Sequence, residues 1–229
     1  MLKLLKSLNQ NVPTLKVIIF MTSLAPGLQL FYRYHSDQLG INGLETLLDT
    51  SGMSALWLYI LTLAVTPLRR ILSYICIQFR WLYGKRLGDW NWMVRVRRML
   101  GVFAFLYGLF HFLIFFYFEL DLGFAELLYE VDQRPFIIAG MLALILLLPL
   151  FLTSTDWSMR IFRKNWRRLH RLMYPVGLLV ALHFLWLTKP GVYDAYPYAF
   201  VIILLLLFRV FNHYKIVFRR EDDGMIAQR

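Results

Sequence analysis

Cysteine is almost missing from this chain: Cys76 is the only one in 229 residues. No internal disulfide can form, and no thiolate cluster is available for zinc or an iron–sulfur centre. Any metal has to be held by other ligands. Acids are scarce as well, 14 against 25 Lys and Arg, which leaves a formal charge of +11. In a water-soluble chain that excess would point to nucleic acid, but there is no RNA-binding motif and no GKS or GKT phosphate loop. Also missing are a GxGxxG after a strand pattern, a nucleophile elbow, an HExxH zinc motif and a Ser-His-Asp order. Catalysis within the chain is therefore not expected. No internal repeat suggests an inverted-repeat transporter.

What the chain does have is apolar sequence in long runs. Hydrophobic residues make up 59% and mean hydropathy is +0.54, well above the roughly 45–50% apolar content of soluble domains. The runs are separated by charged stretches, the pattern of repeated bilayer crossings. Six of them approach the length of about 20 residues that a crossing needs: Leu15 to Tyr32, Ser54 to Leu72, Met99 to Phe118, Phe136 to Thr153, Leu169 to Leu187, and Tyr196 to Phe211. Pro26 and Gly27 interrupt the first. The opening MLKLLK has no convincing small-x-small cleavage site, so the first run reads as a retained helix. The expected fold is an all-α polytopic membrane helix bundle, residues 1–229 forming one transmembrane domain.

Charge sets the expected direction. The N-terminus, the 69–98 loop, the 156–171 loop and the tail from Arg209 collect 22 of the 25 basic residues, leaving Arg33, Arg134 and Lys189 opposite. The positive-inside rule places that basic side, with both termini, in the cytoplasm. The opposite loops carry nine acids, five of them (Glu119, Asp121, Glu126, Glu130 and Asp132) between helices three and four. The tail KIVFRREDDGMIAQR is too short for a flavin or nicotinamide fold, so electron donor and acceptor would be separate molecules.

An ionisable residue inside a span is a functional candidate by default. His111, in GLFHFLIFF, and His183, in VALHFLW, qualify. Arg98 to His111 and His170 to His183 are each 13 steps, about 20 Å of helix rise. Helices three and five run in the same direction, so His111 and His183 should lie level and can ligate both axial positions of a haem iron. His170 would serve a second haem about 20 Å nearer the cytoplasm. Arg97, nearly four turns before His111, lies at that depth; it would pair a haem propionate, fill the place of a missing ligand, or anchor the helix at the headgroups. Thirteen ideal helical steps put His170 and His183 about 140° apart. Either the helix kinks or rewinds at Pro175 and Gly177 between them, or the two haems sit at different azimuths. Interhelical hydrogen bonding is the plain alternative role for a membrane histidine. His35 and His213 lie outside the hydrocarbon and are not expected ligands.

LTLAVTPLRR on helix two, RVRRMLG, LFHF and FEL on helix three, QRPFIIAG and LFLTST on helix four, and NWRRLHRLMYPVGLLVALHFLW on helix five come in a specific order and spacing. Together they resemble the haem-binding membrane subunit of the bacterial periplasmic methionine sulfoxide reductase system, within the ferric-reductase-like transmembrane superfamily. The resemblance covers nearly the whole chain. It implies an inner-membrane electron conduit without a catalytic centre of its own, carrying one or two b-type haems and associated with FMN. Electrons would come from the quinone pool or a cytoplasmic flavin reductase and go to a periplasmic molybdopterin-containing subunit. The family histidines match His111, His170 and His183, with Arg97 near the position of a second helix-three histidine in the wider superfamily. Two rivals remain: a ferric or cupric chelate reductase using the same conduit, and a small transporter or assembly factor without haem.

Overall fold

The computed structural model describes residues 7, 9–81, 83–188 and 193–226, with side chains as far as Asn212. Lys3, Lys6, Lys189, His213 and the side chains of the basic tail lie outside the described residues. Among those described there is no strand. The helices among the described residues are α1 Val12–His35, α2 Gly43–Gln78, α3 Asn91–Phe118, α4 Phe124–Gln133, α5 Pro135–Leu152, α6 Asp156–Leu169, α7 Met173–Leu187 and α8 Tyr196–Ile226. Short 3-10 turns at Leu87–Trp90 and His170–Leu172 lead into α3 and α7.

Five stretches are long and apolar enough to cross a membrane: α1, α2, Leu87–Phe118, α5 and Asp156–Leu187. The expected sixth span falls on Tyr196–Asn212, a shorter apolar stretch that opens α8. Large apolar side chains such as Ile18, Phe20, Met21, Phe31, Ile145 and Phe200 are exposed around the bundle, as lipid permits and water does not.

The structure changes these expectations in four places. At 36 residues, α2 is about 54 Å long, well beyond the roughly 30 Å hydrocarbon core. Its first ten residues, GLETLLDTSG, are too polar to count toward an apolar run, yet the helix is continuous through them. The loops expected at 119–134 and 156–171 contain helix α4 and helix α6, the latter kinked at Arg163; both are amphipathic and so invisible to a search for apolar length. The change of winding expected at Pro175 and Gly177 occurs instead at the His170–Leu172 3-10 turn. Pro175 sits in the first turn of α7, where its missing N–H costs nothing.

Helices in lipid are held by close packing and polar contacts between them rather than by escape from water. The central cluster brings Leu63 of α2, Val176 of α7 and Ile202 of α8 together, each fully buried. Gly177 allows the close approach: a Cβ there would lie 3.0 Å from the Tyr59 hydroxyl. That hydroxyl donates to the Met173 carbonyl at 2.6 Å and ties α2 to α7. Two helix-interior prolines open the backbone ladder, and side chains from other helices answer the freed groups. Around Pro26 of α1, the Tyr107 hydroxyl accepts from the Gly27 N–H at 2.8 Å and donates to the Ser23 carbonyl at 2.7 Å. It sits between the two groups that would bond in an unbroken helix. Pro67 of α2 cannot donate to the Leu63 carbonyl four residues back, and Arg209 of α8 donates to it instead at 2.8 Å.

Candidate functional site

The principal packing partner of α2 is α3, and that of α5 is α7. His111 on α3 and His183 on α7 meet where the two pairs face each other, ring centroids 6.2 Å apart and planes at 89°. Both side chains are half-buried between helices, so the level placement expected from spacing is what the fold contains.

Each imidazole is held in the same way by the helix beside it. Nδ1 of His111 lies 3.0 Å from the Leu48 carbonyl oxygen, with Ser51 Oγ at 3.4 Å. Nδ1 of His183 lies 2.7 Å from the Phe136 carbonyl oxygen. A carbonyl only accepts, so each Nδ1 is the donor and each Nε2 keeps its lone pair. Four residues after each carbonyl stands a glycine, Gly52 after Leu48 and Gly140 after Phe136. Helical Cβ atoms lean toward the N-terminus, and a side chain at those positions would cover the carbonyl the histidine uses. A Cβ at Gly52 would lie 3.1 Å from His111 Nδ1, and one at Gly140 2.7 Å from His183 Nδ1. Sequence reasoning missed both glycines as site residues, although Gly140 closes the QRPFIIAG stretch; the signal available was a glycine inside a span at the depth of a histidine.

An Nδ1–H given to a carbonyl is the usual outer support of a metal-ligating imidazole. An imidazole nitrogen sits about 2 Å from a first-row metal, so two rings gripping one ion from opposite sides have centroids about 6 Å apart. No group of three or more His, Cys, Asp or Glu suited to a metal exists among the described residues. Two imidazoles alone suit a metal that brings its own equatorial ligands, as a metalloporphyrin does.

His170 lies apart from this pair, at the start of the 3-10 turn. Its Nδ1 is 3.2 Å from the Trp166 carbonyl, and its ring stacks on Trp166 at 3.9 Å. Trp166 is pinned by its own N–H to the Thr153 carbonyl at 2.8 Å. His170 too therefore has a free Nε2. Arg97 is directed toward the bundle near Arg209, Arg69 and Tyr174, whereas the neighbouring Arg98 pairs with Asp156 at the start of α6. His35 ends α1 exposed and edge-on to Phe31 at 4.4 Å.

The family model "Ferric reductase like transmembrane component" matches residues 50–181. A Herminiimonas arsenicoxydans protein named "Protein-methionine-sulfoxide reductase heme-binding subunit MsrQ" is 39% identical over 201 residues, 86% of this chain and 84% of that one. Proteins of the same name from Polaromonas naphthalenivorans and Xanthomonas campestris are 36% identical over 215 residues and 38% over 177, covering 93% and 77% of this chain and 91% and 74% of their own lengths. No solved structure matches the chain significantly. His111 and Gly140 fall inside the matched region, and on these matches the chain belongs to the ferric-reductase-like transmembrane family and, within it, to the protein-methionine-sulfoxide reductase haem-binding subunits.

Proposed function

We propose that this chain is a haem b electron-transfer subunit of a bacterial inner membrane, with His111 and His183 as the axial ligands of one haem. The observation that carries the reading is the facing pair itself: ring centroids at 6.2 Å, each Nδ1 committed to a backbone carbonyl and each Nε2 left free. Iron held by two neutral imidazoles has no open position and exchanges single electrons rather than binding oxygen. The protein's part is to fix the two rings, exclude water with the surrounding Phe and Leu side chains, and hold the tautomer.

His170 is the proposed ligand of a second haem at the other end of the bundle, with Arg97 beside it. Electrons enter there, from the quinone pool or a cytoplasmic flavin reductase, and leave at the end where α3 and α7 finish. With the basic loops cytoplasmic, that exit is periplasmic. The acceptor in this reading is a periplasmic molybdopterin-containing subunit that reduces methionine sulfoxide in envelope proteins; the relatives' names support the link to a protein-methionine-sulfoxide reductase. The acidic α3–α5 connection is its docking surface, since complementary charge steers encounter. There Glu130 is paired with Arg134 at 2.9 Å, while Glu119, Asp121, Glu126 and Asp132 are exposed or nearly so. FMN belongs to the same reading; the basic residues of α6, Arg160 to Arg168, offer charge for its phosphate. Residues 1–229 would then act as one transmembrane domain.

The test is an absorption spectrum of the purified chain with pyridine haemochrome quantification, repeated on His111→Ala and His183→Ala. Low-spin b-type bands that either substitution abolishes or shifts are expected. A pure protein without haem bands would favour a transporter or assembly factor, and reduction of a ferric chelate by this chain alone would favour a metal reductase.

A further inference from the structure

Three guanidinium groups converge at the end of the bundle away from the His111–His183 pair. Arg69 comes from α2, Arg97 from the first turns of α3 and Arg209 from α8, and each of Arg69 and Arg209 is near enough to Arg97 to oppose its charge. The acceptors they reach are neutral. Arg69 donates to the Leu87 carbonyl at 2.8 Å and to Asn91 Oδ1 at 3.0 Å, and Arg209 to the Leu63 carbonyl at 2.8 Å. The buried Nε atoms of Arg69 and Arg209 have no partner. Among the described residues no carboxylate pairs with any of the three.

A guanidinium cannot shed its proton. Taking one out of water costs several kcal/mol unless an opposite charge meets it, and like charges in a poorly polarisable interior repel. Arg97 and Arg209, inside the bundle with no acid beside them among the described residues, make a site that is electrostatically incomplete, and Arg69 adds positive charge from its more open edge. The Tyr174 hydroxyl oxygen accepts from Arg209 and lies within reach of Arg97, and its O–H remains as a neutral donor. His170 lies within electrostatic reach of Arg97, its Nδ1 engaged by the Trp166 carbonyl and its Nε2 free.

We propose that Arg97 and Arg209, with the Tyr174 hydroxyl and with Arg69 at the open edge, form an oxyanion site that takes the two carboxylates of a haem ligated by His170. The proposal rests on the haem reading above and decides the role of Arg97 within it. A protonated guanidinium has no lone pair for iron, so Arg97 is a carboxylate partner and not a sixth ligand. A phosphate, from a lipid headgroup or a flavin mononucleotide, shares the oxyanion chemistry. The tetrapyrrole is favoured because the same cluster presents an imidazole with a free ring nitrogen, which a phosphate does not need. Arg209 also reaches the site already anchored: its hold on the carbonyl left over by Pro67 fixes the guanidinium inside the bundle before any ligand arrives.

The experiment uses the full chain in lipid nanodiscs. Potentiometric titration of Arg97→Gln and Arg209→Gln is expected to lower the reduction potential of one haem component, the one His170→Ala removes, and to leave the His111–His183 component in place. Removing a nearby positive charge favours the oxidised iron. Arg209→Lys keeps a donor for the Leu63 carbonyl and guards against a folding defect. Haem-depleted protein is then reloaded with iron protoporphyrin or its dimethyl ester. At the His170 site the ester is expected to bind about ten-fold or more weakly in the wild type, since charge-assisted pairs are lost, and equally with the free acid in the Arg97→Gln/Arg209→Gln variant. Equal binding of ester and free acid in the wild type would overturn the proposal. So would a double variant that loses only tightly bound phosphate, measured as phospholipid and flavin by mass spectrometry. A single haem, lost in His111→Ala and unaffected by His170→Ala, would end this inference and leave the first haem site standing; absence of all haem would end both.

Discussion

The Cβ of an alanine at Gly140 would lie 2.7 Å from Nδ1 of His183, the atom that meets the Phe136 carbonyl. The ring and the methyl group cannot both occupy that place, and the hydrogen bond holds the ring there. Gly140→Ala is therefore expected to displace the imidazole, cutting haem content or converting the low-spin spectrum to a high-spin one. At Gly52 the corresponding approach is 3.1 Å, which a shift of a few tenths of an ångström relieves, so Gly52→Ala should retain more haem. Haem-to-protein ratio and the ferric absorption spectrum of the two variants measure the order; equal, wild-type loading of both would show that the glycines do not shape the site.

The 89° angle between the two imidazole planes has a spectroscopic consequence. Perpendicular axial ligands leave the two iron dπ orbitals nearly equal in energy, and a low-spin ferric haem of that kind gives a highly anisotropic electron paramagnetic resonance signal with a large principal g value. That signal is expected at low temperature and should vanish in His111→Ala and His183→Ala. An ordinary rhombic signal, typical of parallel planes, would contradict the ring geometry.

Tyr107 bridges the interruption of α1, and its removal should be felt in stability rather than in colour. Tyr107→Phe loses the hydroxyl between the Gly27 N–H and the Ser23 carbonyl. Interhelical hydrogen bonds in membranes are each worth about 1 kcal/mol, so a lowered unfolding midpoint with an unchanged haem spectrum is the expected result. A thermal or detergent unfolding series reads it directly, and a lost haem band would tie α1 to the site instead.

Neutralising Glu119, Asp121, Glu126 and Asp132 by amide substitution should slow electron delivery to a periplasmic acceptor and flatten its salt dependence, while haem content stays normal. Stopped-flow oxidation of the reduced protein by the purified acceptor, at several ionic strengths, tests this. An unchanged rate would move the docking surface elsewhere.

The sequence by itself determined the membrane class, the approximate spans and the shared depth of His111 and His183. Apolar length and the fixed 1.5 Å rise of a helix are local properties, readable without knowing what packs on what. Helices α4 and α6 escaped it because an amphipathic helix at an interface needs only one apolar face, and α2 was cut short because its first turns are polar. Tertiary structure alone decided which carbonyls hold the histidines, that Gly52 and Gly140 uncover them, and that Arg209 joins Arg97 and Arg69 near His170. Those facts depend on the azimuth and closest approach of neighbouring helices, quantities fixed by packing across the bundle and written in no single segment of the chain.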